Sequence, residues 1–157
     1  MHSRILQVTK KDPAQEEVDV IDESRYYDWP ECDYTDQIDE AHIPDQLQDW
    51  MVGRPGMDVD ADGHTVRIAS IDEALRPYYD DWVAKLRECA AVGFDEYRHP
   101  YGYIPAWYRA KAAFAETGGL WFDDYDEEHG LMTIQDFLRA SADGDVWHVV
   151  AMFDYHY

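Results

Sequence analysis

Two hydrophobic periods run along this chain, and the switches between them mark its elements. "SRILQV" (residues 3–8) reads as a short N-terminal strand. The C-terminal "DVWHVVAMFDYHY" gives the strongest strand signal. There Trp147, Val149, Ala151, Phe153 and Tyr155 alternate with His148, Val150, Met152, Asp154 and His156. Both sets contain apolar residues, so this strand is expected at the centre of a sheet. Met57 and Val59 facing Val66 and Ile68 predict a hairpin, and "LWFDDY" (120–125) predicts a further strand.

Helical spacing appears four times. In "IPDQLQDWMVG" (43–53), Ile43, Leu47, Trp50 and Met51 share a face, with Pro44 suited to the first turn and Gly53 to the C-terminal cap. Ser70 and Glu73 match a capping box that opens the next helix. Along it Ile71, Leu75, Tyr78, Trp82, Leu86 and Cys89 recur, while Pro77 predicts a kink or a restart. "AWYRAKAAFAETGG" (106–119) is entered through Pro105 and stopped by Gly118-Gly119. "TIQDFLRASADG" (133–144) carries a short stripe of Ile134, Phe137 and Leu138.

Residues 10–41 show no sustained period and predict a long acidic loop, pinned by the aromatics of "YYDWP" (26–30). The order of elements lacks regular strand–helix–strand alternation. It therefore predicts an α+β fold, a single domain over residues 1–157, with an antiparallel or mixed sheet of about four to five strands packed by about three to four helices.

Composition sharpens the class. Apolar residues make up 46% of the chain, with twelve Tyr, six Trp and five Phe, which sets it apart from aromatic-poor disordered acidic tails. Cys32 and Cys89 are far apart and match no metal-site spacing. With no signal-like segment in "MHSRILQVTK" and no long apolar run, the expectation is a cytoplasmic protein with free thiols and no membrane span.

Charge is the outlier. Thirty-four acids against thirteen bases leave −21, a balance that repels nucleic acid and anionic membrane and makes a basic protein the natural partner. The acidity is blocky. Residues 12–49 hold fourteen acids and one base, Arg25, and "DDYDEE" (123–128) adds five acids. Such blocks mark either a solubilising coat or a partner-facing surface. Candidate contacts are Asp33, Asp36, Asp39 and Glu40, then Asp123, Asp124, Asp126, Glu127 and Glu128. Tyr26, Tyr27 and Trp29 join them as aromatic anchors.

One motif suggests a metal. "MDVDADG" (57–63) places Asp58, Asp60, Asp62 and Gly63 at the first, third, fifth and sixth positions of a calcium loop. Ala69 stands where the twelfth-position Glu belongs, and Pro55-Gly56 interrupts the entering helix. The reading is a hairpin turn, with weak calcium binding by these three aspartates as the alternative and no cofactor otherwise. No metalloprotease, nucleophile-elbow, P-loop or dinucleotide fingerprint occurs. An enzyme built from scattered residues is the remaining alternative.

The leading expectation is a non-enzymatic interaction protein that presents carboxylates to a basic, nucleic-acid-binding partner such as a nuclease, without contacting nucleic acid itself. In size and charge the chain is similar to the DNA mimics among anti-restriction and anti-CRISPR proteins, whose carboxylates imitate the phosphate array of a duplex. It shares no motif with them.

Overall fold

The computed structural model describes residues 2–27, 34–101, 104–115, 119–124 and 130–156. The strands are β1 (His2–Thr9), β2 (Tyr34–Gln37), β3 (Met57–Val59), β4 (Thr65–Ile68), β5 (Leu120–Asp124), β6 (Leu131–Thr133) and β7 (Val146–His156). The α-helices are α1 (Ile43–Met51), α2 (Ile71–Ala90), α3 (Phe94–Arg98), α4 (Ile104–Ala115) and α5 (Ile134–Ala140). Short 3-10 turns cover Glu23–Tyr26 and Glu40–His42.

All seven strands form one mixed sheet in the order β3-β4-β7-β1-β5-β6, with β2 also paired to β7. Among the described residues, only β1 and β5 run parallel. The α+β class holds, and the strand count exceeds the expected four to five. The additions are β2 and β6, and α3 is an unexpected fifth helix. Each is short. β2 has a single buried residue, Thr35, and α3 has none, so neither writes an apolar period into the sequence.

The chain divides into two compact units, Met1–Ala74 with Thr117–Tyr157, and Leu75–Glu116. The first contains the whole sheet with α1 and α5. β7 is central, as its two apolar sets predict, pairing with β1 on one side and with β4 and β2 on the other. Its alternation is interrupted, however. Gln7 faces Ala151 while Val8 faces Val149, so Val150 is an extra residue. The bulge sends Trp147 to the face of α5, where Phe137 stacks on Phe122 at 3.8 Å and contacts Trp147 at 5.1 Å. Beyond it Ala151, Phe153 and Tyr155 point to the opposite face and pack with Ile5 and Tyr26.

In the second unit α2 runs on through Pro77 without ending there. Its sequence stripe is not fully buried: Leu86 is exposed, and Leu75, Tyr78, Trp82 and Cys89 are half-buried. α4 buries Ala106, Ala110 and Ala113, and its Arg109 pairs with Glu88 of α2 at 3.2 Å. Tyr101, Trp107 and Tyr108 of the "HPYGYIPAWY" segment are exposed. Cys89 is a free thiol, and Cys32 lies outside the described residues. Among the described residues, no helix is long and apolar enough to cross a membrane.

Candidate interaction surface

The segment expected as loop enters the sheet at β2, and register decides what its acids meet. Asp36 of β2 lies opposite Asp154 of β7, and Asp154 lies opposite Arg4 of β1. The three form one row across the sheet. Arg4 donates to Asp154 Oδ1 at 2.6 Å, and to Gln46 Oε1 of α1 at 3.1 and 3.3 Å. Its guanidinium lies 5.6 Å from the Trp50 ring centre. The Tyr34 phenol is hydrogen-bonded to Asp36, and that bond, then burial and nearby negative charge, raise its pKa above the ordinary tyrosine value.

Downstream, Asp39 accepts from the Ala41 backbone N–H at 3.1 Å and so opens the 3-10 turn that leads into α1. Asp36, Asp39, Glu40, Asp45 and Asp49 are all exposed. Among the described residues, none of these five is in an ion pair with Lys or Arg. Arg4, Asp36, Gln37, Ile38, His42, Asp45, Gln46 and Asp154 line a cleft of about 390 Å³.

The second acidic block is placed differently. Asp123 is 0% exposed. It accepts from Tyr26 Oη at 2.9 Å and from Arg25 Nε at 3.0 Å. Gln7, also fully buried, donates to Tyr26 Oη at 2.8 Å and to the Ile21 carbonyl at 2.7 Å, and it accepts from the Ile21 N–H at 3.1 Å. Burial and the Asp123 charge push the Tyr26 pKa strongly upward. This network fastens residues 21–26 over the sheet. Asp123 and Tyr26, read from the sequence as surface contacts, are therefore parts of the interior, because residues 21–26 close over the position of β5 that carries Asp123. Asp124 is buried as well. Tyr27 is exposed, with its hydroxyl on Glu23 at 3.2 Å. Asp33, Trp29, Asp126, Glu127 and Glu128 lie outside the described residues.

The calcium-like motif forms the β3–β4 hairpin. Asp60 is ion-paired with Arg67 at 2.8 Å. Asp62 accepts from the His64 N–H at 3.0 Å and from Thr65 Oγ1 at 2.7 Å. Burial raises the Asp62 pKa, but these hydrogen bonds outweigh it and leave the carboxyl below its usual value. Asp58 is exposed opposite Arg67. Gly63 has φ +71°, and a Cβ there would stand 2.4 Å from Pro44 Cβ, so the turn glycine also seats the hairpin against the start of α1. Among the described residues, no group of three or more His, Cys, Asp or Glu is arranged to hold a metal ion.

The chain matches no family model, no curated protein and no solved structure. The surface must therefore be read from its own chemistry. Sequence reasoning found Asp36, Asp39 and Glu40 there, and missed Arg4, Asp45, Gln46 and Asp154. The available signal was one Arg within the apolar "SRILQV" and one Asp within the apolar terminal strand, a combination that suggests a cross-strand pair.

Proposed function

We propose that this protein is an acidic interaction module that presents a carboxylate surface to a basic, nucleic-acid-binding protein, and that it does so as a mimic of duplex DNA. What supports the reading is the run of exposed acids Asp36, Asp39, Glu40, Asp45 and Asp49, without ion-pair partners among the described residues. Five of the seven Lys and Arg residues of the same unit are paired with other acids. Arg4, Lys10, Arg25, Arg67 and Arg139 pair with Asp154, Asp145, Asp123, Asp60 and Asp136. An uncompensated field of this sign steers a basic partner toward the surface and makes association fast and salt-sensitive.

The test begins with capture of a partner at low salt and elution in a salt gradient. The expected partner is a discrete basic protein that duplex DNA displaces competitively. Its affinity for the Asp36→Asn/Asp39→Asn/Glu40→Gln variant should fall at least about tenfold, by analogy with close charge pairs at other interfaces. Failure of DNA to compete removes the mimicry. An unchanged affinity removes this segment from the interface, and elution of nothing specific leaves a solubilising coat.

A further inference from the structure

We infer that α2 carries a docking seam for a second copy of this chain, paired antiparallel through Tyr79, Val83, Leu86 and Ala90. This surface is separate from the acidic one and does not depend on it.

α2 is twenty residues long, yet of these only Ala74 is buried. Beside the stripe read from the sequence runs a second apolar row, Tyr79, Val83, Leu86 and Ala90, in steps of four, three and four. Alternating steps of three and four residues make the seam of two paired helices. The row is open: Tyr79 is 53% and Leu86 40% exposed, Ala90 is exposed and Val83 half-buried. Arg76, whose guanidinium lies 5.6 Å from the Tyr79 ring centre, closes its N-terminal end. Glu88, which holds Arg109 of α4, lies nearly opposite the row around the helix, so that contact is made on the other side.

Charge decides what covers the row. Residues 75–116 hold six acids and six Lys or Arg, so the whole net charge of −21 falls in the other unit. Two copies meeting through their acidic units repel, whereas the neutral unit lets them touch. A basic partner drawn by the acids meets no net attraction there.

The flank of the row is also complementary to itself. Asp80 and Arg87 border it on one side. Both are exposed, and among the described residues neither is in an ion pair. They stand about 10 Å apart along the helix axis, too far to pair with each other. An antiparallel copy, related by a two-fold axis between residues 84 and 85, sets its Leu86 against Val83 and its Ala90 against Tyr79. The same pairing brings its Arg87 beside Asp80, and the symmetry makes each contact twice. A parallel copy would instead set these charges against the other flank, where Leu75 and Trp82 stand. Two heptads make a small interface, so the dimer is weak, with a dissociation constant on the order of 10–100 µM.

The test is sedimentation equilibrium of the full chain from micromolar to near-millimolar protein, at low and moderate salt. A monomer–dimer equilibrium is expected that tightens several-fold as salt screens the −21 charges. Leu86→Glu should weaken it at least about tenfold. Val52→Glu, the same change at an exposed apolar position of the other unit, should weaken it less than about twofold. Asp80→Arg and Arg87→Asp should each self-associate several-fold more weakly, and mixing the two should give a heterodimer tighter than either self-pair. A chain that stays monomeric throughout overturns the inference, as does a dimer indifferent to Leu86→Glu. So does a dimer that loosens as salt rises, which would be held through the acidic unit instead. A heterodimer no tighter than the self-pairs overturns the antiparallel pairing. Leu86, Val52, Asp80 and Arg87 are all exposed, and unchanged melting curves establish that each variant is folded.

Discussion

Asp36 and Asp123 carry the same side chain, and both are expected at a surface from the sequence, yet their surroundings give them opposite effects on stability. Asp123 is fully buried between Arg25 and Tyr26. Asp123→Asn leaves Arg25 without its counter-charge and should cost about 1–3 kcal/mol by urea denaturation. The Arg25 side chain keeps 37% of its surface in water, which holds the loss below that of breaking a wholly buried pair. Asp36→Asn removes a like-charge apposition with Asp154 and should be neutral or stabilising, by up to about 1 kcal/mol. A measured loss at Asp36 would mean that its bond with Tyr34 outweighs the repulsion.

At the scale of elements, two substitutions test how local chemistry meets tertiary packing. Gly63 closes the hairpin with a left-handed φ and abuts Pro44. Gly63→Ala should therefore destabilise by more than the roughly 1–2 kcal/mol of backbone strain alone, because the added methyl also displaces the start of α1. A loss no larger than at an open glycine such as Gly53 would show that the hairpin and α1 shift freely. Pro77 lies inside α2 and is exposed, so it removes a backbone donor without contributing core packing. Pro77→Ala should raise stability by about 1–3 kcal/mol, the helix gain less the unfolded-state entropy that proline removes. No rise in the melting temperature would mean that the helix has already adjusted to the ring. The helix stripes and caps were legible in sequence because they depend on residues within one or two turns. Thr133 accepting from the Asp136 N–H and Ser70 from the Glu73 N–H are local events. β2 was illegible for the converse reason, since only β7 makes it a strand.

For the whole molecule the governing quantity is the net charge of −21. Self-repulsion opposes compaction, so the melting temperature should rise as salt is added from low ionic strength. A fall would show that the Arg4–Asp154, Arg25–Asp123 and Lys10–Asp145 pairs dominate instead. Lowering pH from neutrality toward the pI of about 4.3 should also stabilise the fold by discharging it. The gain reverses on further acidification. Asp145 is desolvated, but hydrogen bonds from Lys10 and the Ala142 N–H, with the Lys10 charge, hold its pKa below 3.8, and Asp62 is likewise lowered. A carboxyl with a depressed folded-state pKa contributes stability above the unfolded value, and that contribution is lost as pH falls through the folded one. Stability followed by denaturant titration should therefore peak at mildly acidic pH and decline below about pH 4.

Sequence alone determined the elements with a strong local period, the central place of the terminal strand, the hairpin in the calcium-like motif and the sign of the surface. Each follows from spacing, turn chemistry or charge, which act between near neighbours or need no geometry at all. Tertiary structure alone decided which acids face outward. Register set Asp36 beside Asp154 and Arg4, the β7 bulge turned Trp147 to the opposite face from Phe153, and β5 placed Asp123 inside with Tyr26. A one-residue shift in strand pairing exchanges inside for outside, and that choice is made by partners distant in the chain.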